Sequence, residues 1–373
     1  MKKFGGKKTL AKPSSQQSLK YSWHTMTREA VPQNKPHRLV IVGIGNVGIK
    51  AVTKFMNEGA CGLECIAISN NRSHLDAAKA HQKILIKEKT ISRPFSALRS
   101  DISKTAIDES RYKIEQALSS ADIVFVTASF DSKTPIESAP AVAEIAKKNG
   151  AVTVGIVTTP PKAEKDQNKH VANAICSMRN QCDTVIIIDN NKVTQLAPKL
   201  TTTDEVLANV IKEIVETMSA PNLINLDVAD FRNLVSSGGF AVIGVGESDA
   251  PNRAEEAVRN ALKSSMLDIG YSGATGALIH VTGDSHMTIE EANRVGEIVT
   301  EMMDNNARVL WGARVNPTQE GRLKVTLVMT GVNSQKTRSS LGAIAPQLFD
   351  MDPYADPEKN LNIKLDLYQI ESF

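Results

Sequence analysis

Short apolar runs alternate with amphipathic stretches along most of the chain from His37 onward. Runs of branched aliphatic residues are typical of buried strands, whereas apolar residues three or four positions apart are typical of helices. In the first half, the pattern predicts strands at residues 38–42, 63–69, 123–128, 152–157 and 184–189. It predicts helices at about residues 47–58, 109–119, 139–148 and 166–181, with a polar stretch after residue 69. Because strands and helices alternate, we expect a parallel sheet with helices on both faces.

A long amphipathic helix is predicted next, over residues 204–218, with its apolar residues on a single stripe. A second α/β unit follows, with strands at residues 240–244, 276–281, 307–313 and 322–330. We expect this unit to be a smaller sheet with helices on one side. The predicted organisation is a basic arm (1–36), a first domain (37–200), the central helix (201–220), a second domain (221–332) and a tail (333–373).

The composition is that of a globular protein, with 373 residues of which 41% are hydrophobic and 23% charged. The net charge of +3 combines two unlike parts, because the first 36 residues hold 8 Lys and Arg against one acid. The remainder has 36 basic and 40 acidic residues and is mildly acidic. The basic residues therefore belong to an arm predicted to be disordered. This arm is either a solvated tail or a contact for nucleic acid or anionic lipid.

No run of about 18 apolar residues occurs, so the sequence gives no sign of a membrane span. No apolar run follows the lysines of residues 1–12, so a secretory signal is not expected either. We therefore expect a cytoplasmic protein. The four cysteines, Cys61, Cys65, Cys176 and Cys182, lack the CxxC spacing of structural zinc sites. Buried core thiols are the favoured interpretation, and a metal or redox pair is the alternative.

A glycine turn, GIGNVG, follows the first predicted strand and opens the first predicted helix. Gly43, Gly45 and Gly48 fit a turn that lets the backbone approach a phosphate at a helix N-terminus. A dinucleotide site also needs an acid at the end of the second strand, but Ser69, Asn70 and Asn71 stand there. Two interpretations therefore stay open on these residues, an NAD(P) site and a tight turn without a ligand.

Residues 221–248, PNLINLDVADFRNLVSSGGFAVIGVGES, resemble the segment after the central helix of FtsZ, the bacterial and archaeal relative of tubulin. NRAEEAVRNAL, SGATGALIHVTG and RLKVTLVMTGV follow in the order of that family, and ADIVFVTA and APAVAEIAKKNGAVTVGIVTTP precede them. The resemblance covers residues 37–332. It implies a tubulin/FtsZ-like α/β fold, with a parallel-sheet nucleotide-binding domain joined by a central helix to a smaller α/β domain.

The resemblance also implies a catalytic arrangement shared between subunits. In that family, GTP binds the first domain, and two acids from the loop after the central helix reach the GTP of the next subunit. These acids correspond to Asp227 and Asp230, with Asn225 beside them. Asp227 also precedes a predicted helix, so an N-cap role is a second interpretation. The implied partners are the chain itself or a nucleotide-binding FtsZ paralogue in head-to-tail contact.

The principal phosphate loop departs from the family, because SFDSKTPIES at residues 129–138 stands in place of a glycine run. Thr134 is the one residue of the family motif that remains. Pro135 has no N–H to donate, and Asp131 and Glu137 add negative charge. A like-charge contact at 4 Å costs roughly 4 kcal/mol at an effective dielectric near 20, which Lys133 offsets in part.

Other nucleotide contacts of the family are also altered. Asn46 and Val47 replace two glycines, and Asn71 replaces an aspartate. Three positions still correspond to binding positions of the family: Thr134, Glu164 for the ribose and Asn209 for the base edge. Other binding positions hold unlike residues, among them Lys50, Asn168 and Val206. These residues therefore leave two expectations for the cofactor, GTP or none, and Mg²⁺ is expected only if a nucleotide binds.

Three functions follow from these residues. The first is an FtsZ-like cytoskeletal or division protein with weakened or lost GTP binding that acts on a neighbour's nucleotide. The second is an active GTP-hydrolysing filament protein with non-standard phosphate loops. The third is a Rossmann-type NAD(P)-binding protein or an adaptor. Residues 361–373 stand where FtsZ proteins carry a peptide for membrane-tethering partners, so such a division protein is a candidate partner, although the residues do not match that peptide.

Overall fold

The computed structural model describes residues 37–59, 62–86, 101–160, 165–190, 202–219, 228–236, 239–264, 274–303 and 306–332. The predicted basic arm, the predicted tail and the predicted boundary at residue 220 lie outside the described residues. The described residues from His37 onward form one compact unit.

The described strands form one sheet. They are β1 (Leu39–Ile44), β2 (Leu63–Ser69), β3 (Gln82–Leu85), β4 (Ile123–Ser129), β5 (Val152–Thr159), β6 (Thr184–Asp189), β7 (Phe240–Ser248), β8 (Gly276–Gly283), β9 (Arg308–Val315) and β10 (Leu323–Thr330). Their order is β3-β2-β1-β4-β5-β6-β7-β10-β8-β9. Strands β1 to β6 are parallel, whereas β10 is antiparallel to both β7 and β8.

Helices connect the strands. They are α1 (Gly45–Asn57), α2 (Arg72–Ala77), α3 (Asp101–Leu118), α4 (Lys133–Lys148), α5 (Lys165–Gln181), α6 (Thr203–Ser219), α7 (Val228–Val235), α8 (Arg253–Lys263) and α9 (Ile289–Glu301). A 3₁₀ turn at Pro317–Gln319 joins β9 to β10.

The hydrophobic core lies on both faces of the sheet, because the parallel strands are apolar at nearly every position. In β1, Val40 and Val42 pack on one face and Leu39 and Ile41 on the other. Helices α3, α4, α5, α8 and α9 cover the first face, and α1, α6 and α7 cover the second. Both core clusters include residues from β1 to β6 and from β7 to β10. The prediction of a parallel sheet covered on both faces is therefore confirmed.

Three local predictions differ from the structure. The predicted polar stretch contains α2 and β3, and α3 begins at Asp101 rather than near residue 109. Helix α4 begins at Lys133 rather than near residue 139 and includes Pro135 in its first turn. A proline is tolerated there because the first amides of a helix have no intrahelical acceptor.

The second half is joined to the first more closely than the sequence predicts. Strand β6 pairs with β7 through Val185 opposite Phe240 and Ile186 opposite Ala241, so the smaller sheet continues the larger one. Helix α7 packs on the second face, where the Phe231 ring lies 6.4 Å from the ring of Phe125 in β4. The expectation of helices on one side only is therefore wrong for this half.

Three of the four cysteines lie among the described residues. Cys65 and Cys182 are buried thiols, as predicted, and Cys176 is a half-buried thiol. Burial, with a smaller contribution from Glu64, raises the pKa of the Cys65 thiol to about 12. Cys61 lies outside the described residues. None of the described helices combines the length and the apolar character that crossing a membrane requires.

Candidate functional site

The candidate site lies where the carboxyl ends of β1, β2, β4, β5 and β6 meet at one edge of the sheet. Parallel strands bring their C-terminal ends together, and ligands of open α/β sheets bind outside that edge. The turns into α1, α2 and α4 leave the sheet there, and α6 begins there as well. The edge therefore collects the glycine turn and the altered phosphate loop in one place.

Two of the three glycines in the turn are required by close packing. A Cβ atom on Gly48 would lie 2.6 Å from the carbonyl oxygen of Thr127 in β4. A Cβ atom on Gly43 would lie 2.5 Å from the carbonyl oxygen of Gly48. Gly45 differs, because its φ of +74° favours glycine and its position faces the Pro135 ring, 3.3 Å from a Cβ placed there. The turn thus has a structural reason for its glycines that does not depend on a ligand.

The N-termini of α1 and α4 meet at this contact between Gly45 and Pro135. The N-cap residues, Ile44 for α1 and Ser132 for α4, make no side-chain capping hydrogen bond, and neither first turn contains an acid. Uncapped N-terminal amides and the partial positive charge of a helix N-terminus favour an anion. In α4, Pro135 at the third helical position removes one of these donors.

Charged side chains around the start of α4 partly cancel its attraction for an anion. Asp131 is exposed just before the N-cap residue Ser132. The Nζ atom of Lys133 lies 3.9 Å from Oε1 of Glu137, with 64% of the lysine side chain exposed. Thr134, the residue retained from the family motif, is half-buried in the first turn. Together, Asp131, Lys133 and Glu137 carry one net negative charge at the position of a phosphate loop.

Two buried hydroxyl groups at the same edge were missed by the sequence analysis. Ser129 ends β4 and lies in register with Thr158 of β5. Both side chains are buried, and neither Ser129 Oγ nor Thr158 Oγ1 has a hydrogen-bond partner among the described residues. Buried polar atoms are nearly always paired, so such orphan hydroxyls are typical of a ligand or water site. Polar residues ending apolar strand runs are the sequence signal that would have indicated them.

The end of β2 uses its polar residues for local structure. Asn71 caps α2, because its Oδ1 accepts a hydrogen bond from the Ser73 amide at 2.9 Å. The backbone N–H of Asn71 in turn donates to Ser69 Oγ at 3.1 Å. Mg²⁺ is usually held by one or two carboxylates together with phosphates. Within the part of the chain that the structure describes, no group of three or more His, Cys, Asp or Glu residues is arranged to hold a metal.

Helix α6 begins at this edge, where Thr203 donates from Oγ1 to Asn190 Oδ1 at 3.2 Å just after β6. Asn209, predicted to contact a base, is half-buried in this helix. The helix has 17 residues and is therefore about 25 Å long at 1.5 Å per residue. The segment after it thus begins far from the glycine turn.

Helix α7 carries the predicted acid Asp230 beyond the end of α6. Asp230 is exposed in the first turn, where a carboxylate is favoured by the helix dipole, and its neighbour Phe231 is buried. The other predicted residues Asn225, Asp227 and Glu164 lie outside the described residues. Gly43, Gly45, Gly48, Thr134 and Asn209 are therefore on elements that meet at or run from one edge, whereas Asp230 follows α6.

Comparisons with known proteins agree with this architecture. The model of the Tubulin/FtsZ family, GTPase domain, matches residues 38–198, and that of the FtsZ family, C-terminal domain, matches residues 239–333. Cell division protein FtsZ 2 of Methanocaldococcus jannaschii is 43% identical over 307 residues, which are 80% of each chain. Cell division protein FtsZ 1 of Pyrococcus furiosus is 38% identical over 341 residues, which are 89% of each chain.

Solved structures show the same likeness. An empty FtsZ dimer from M. jannaschii is 38% identical and superposes with a TM-score of 0.74 over 81% of this chain and 90% of that one. The GTPγS-bound protofilament of CetZ2 from Haloferax volcanii is 16% identical with a TM-score of 0.66, covers 84% of this chain and 98% of that one, and is alike in fold alone. These matches give no support to a Rossmann-type dinucleotide-binding protein.

Proposed function

The chain belongs to the tubulin/FtsZ family, and we propose that it is a cell-division cytoskeletal protein whose own GTP site is weakened or lost. In this proposal, Asp227 and Asp230, with Asn225 beside them, act on GTP held by the next subunit. That subunit is a second copy or a nucleotide-binding FtsZ paralogue. The names of the relatives, which are cell division proteins, and the dimeric state of one solved relative support this assignment.

The start of α4 carries the proposal of weak binding. A phosphate loop works by directing backbone N–H groups at the ligand, and Pro135 removes one such group from the first turn. Asp131 adds an exposed negative charge just before the N-cap residue Ser132, and Lys133 lies beside Glu137. Each of these features lowers the affinity for a triphosphate. Mg²⁺ is expected to join only with bound nucleotide, through its phosphates.

The distance between the two ends of α6 supports action between subunits. One helix of about 25 Å separates the glycine-turn edge from the segment that contains Asp227. A general base or water-positioning carboxylate must lie within hydrogen-bond reach of the attacking water, directly or through one further water. The acids of one chain therefore meet a nucleotide only in a head-to-tail pair.

An active GTPase with non-standard loops is the second candidate, and a specific observation favours it. The uncapped N-termini of α1 and α4 meet at Gly45, and the hydroxyls of Ser129 and Thr158 beside them have no described partner. This arrangement still favours an anion at the edge. The two candidates differ in whether the chain binds GTP tightly on its own.

A calorimetric GTP titration of the full chain with Mg²⁺ separates the candidates. The proposed function predicts no saturable binding in the low micromolar range. It also predicts that Asp131→Asn improves binding about tenfold, the equivalent of about 1.4 kcal/mol. The matched control is Asp249→Asn, which removes an exposed acid from the other half. Saturable one-to-one binding at micromolar GTP contradicts the proposal and supports the second candidate. In that case, phosphate release should rise with protein concentration and be lost in Asp227→Ala.

A further inference from the structure

The carboxylate of Glu213 lies on the apolar side of the central helix α6, next to the sheet of the second half. Only 11% of the Glu213 side chain and 21% of the Lys324 side chain are exposed, and the two form an ion pair. The Thr326 hydroxyl donates to the other carboxylate oxygen, Oε2, at 3.2 Å. Lys324 and Thr326 are two residues apart in β10 and so face α6 together. Both oxygens of Glu213 are thus bound to one strand.

A buried carboxylate at this position needs an explanation, because its neighbours on α6 are Val210, Ile214 and Val215, all buried. Burying a charge is costly unless it is paired, and an apolar side chain would pack here without that cost. An apolar contact tolerates small shifts along the helix. An ion pair with two defined partners fixes the helix at one position along the strand.

Ion pairs to α1 act on the same helix from the other half of the molecule. Lys54 Nζ lies 2.8 Å from Glu205 Oε1, and Lys212 Nζ lies 2.8 Å from Glu58 Oε2. The two ion pairs have opposite polarity. In the first pair the lysine lies on α1 and the glutamate on α6, whereas in the second the glutamate directly follows α1 and the lysine lies on α6. A displacement of α6 by two turns would place Lys212 beside Lys54. These pairs are partly exposed and individually weak, but their pattern selects the same position of α6 as Glu213 does.

We infer that Glu213 is a positioning residue that fixes the axial position of α6 and thereby the start of the segment carrying Asn225 and Asp227. Glu213 stands six residues before the end of α6 at Ser219. The role in hydrolysis rests on the proposed function, because Asp227 matters for GTP only if it reaches a neighbour's nucleotide. The effect of Glu213 on the axial position of α6, in contrast, does not depend on a second subunit.

Hydrogen exchange of the full-length protein, followed by mass spectrometry, tests the hold on α6. Glu213→Gln should raise the exchange of residues 214–219, the last turns of α6, at least tenfold more than that of β1 and β2. The matched control is Glu297→Gln, whose partner Arg294 and own side chain are 46% and 59% exposed, and it should leave both regions unchanged. The exchanged pair Glu213→Lys with Lys324→Glu should restore protection. If protection of residues 214–219 is unchanged in Glu213→Gln, or falls no more than in β1 and β2, the inference is wrong.

A second measurement separates this inference from the proposed function. FtsZ 1 of M. jannaschii, loaded with GTP, is mixed with the wild-type chain, with Asp227→Ala or with Glu213→Gln, and phosphate release is followed. Stimulation by the wild type that is lost in both variants supports both proposals. No stimulation by the wild type, together with the exchange result expected above, contradicts the proposed function while the hold on α6 stands. Equal stimulation by wild type and Glu213→Gln overturns the positioning role.

Discussion

At the scale of single residues, the glycines of the turn are required by close packing in the fold, and the same turn would also suit a bound phosphate. Gly43 and Gly48 allow α1 to approach β1 and β4 at backbone contact distance, and Gly45 adopts a positive φ. A glycine-rich turn before a helix therefore indicates a phosphate site only when the amides after it are free to donate. In this chain those amides belong to α1, and at the neighbouring N-terminus of α4 Pro135 removes one donor.

Gly48→Ala should destabilise the protein by about 1 to 3 kcal/mol, because the new Cβ meets the Thr127 carbonyl oxygen at 2.6 Å and backbone must shift. Gly59→Ala is the matched control. Its φ of +87° costs about 1 to 2 kcal/mol, but nothing lies within 4 Å of the added Cβ. The measurement is the free energy of unfolding in urea. An unchanged urea midpoint in Gly48→Ala would show that α1 moves away from β4 at little cost.

At the scale of elements, α7 is anchored by three buried apolar side chains, Phe231, Leu234 and Val235. The Phe231 side chain is 3% exposed, and its ring packs against that of Phe125 at 6.4 Å and 49°. Phe231→Ala should lower the free energy of unfolding by about 3 to 5 kcal/mol through lost burial and a cavity. Asp230→Asn, at the exposed neighbouring position, should leave stability within about 0.5 kcal/mol. A loss below 1 kcal/mol in Phe231→Ala would show that α7 is not anchored through this ring.

A charged network joins α8, α9 and the end of β8. Arg253 donates to both carboxylate oxygens of Glu291, at 2.7 and 2.8 Å, and its guanidinium also binds Asp284. Hydrogen bonding from Arg253 holds the pKa of Glu291 below its usual value, and the Thr288 amide acts in the same direction against partial burial. A lowered pKa means that the unfolded state takes up the proton first as the pH falls. Glu291 therefore contributes stability above about pH 4.5, and this contribution is lost as the pH falls through its folded pKa.

Glu291→Gln should cost about 1 to 2 kcal/mol at pH 7 and should make stability less dependent on pH between 5 and 3. Thermal unfolding at several pH values measures both effects. Glu290→Gln, at the neighbouring exposed position, is the control and should keep the wild-type pH dependence. An identical pH profile in wild type and Glu291→Gln would show that this ion pair does not contribute to the acid sensitivity.

Most elements could be predicted because the apolar periodicity is strong where strands are buried on both faces. The exceptions have physical reasons. Strand β3 lies at the sheet edge, where Gln82 and Lys83 are exposed, and so lacks an apolar run. The start of α4 was missed because Pro135 is tolerated only in a first turn. Polar residues at the ends of apolar strand runs indicate the positions of Ser129 and Thr158. Whether their hydroxyls find a hydrogen-bond partner depends on the folded surroundings, which no local pattern encodes. The three glycines of the turn could be predicted from the motif itself, whereas the acids proposed to be catalytic and the remaining site residues were predicted from the family resemblance.

At the scale of the whole molecule, the two halves share both of their core clusters. One cluster contains Val40 and Leu327, and the other contains Ile41 and Val328, so each extends across the junction of β6 and β7. Arg179 of α5 also lies over the ring of Phe240 in β7, 5.4 Å from its centroid. Two family models match the chain, but its described residues have no separate core for each half.

The two halves should therefore unfold in one cooperative transition. Trp311 in β9 reports on the second half, and Trp23→Phe makes it the sole tryptophan, since the chain has 2. Its fluorescence and the far-ultraviolet circular dichroism of the same variant should give the same urea midpoint, because exposing one half opens core clusters that both halves share. If the fluorescence transition precedes the dichroism transition, the second half unfolds alone, and the shared clusters then contribute less than the packing within each half.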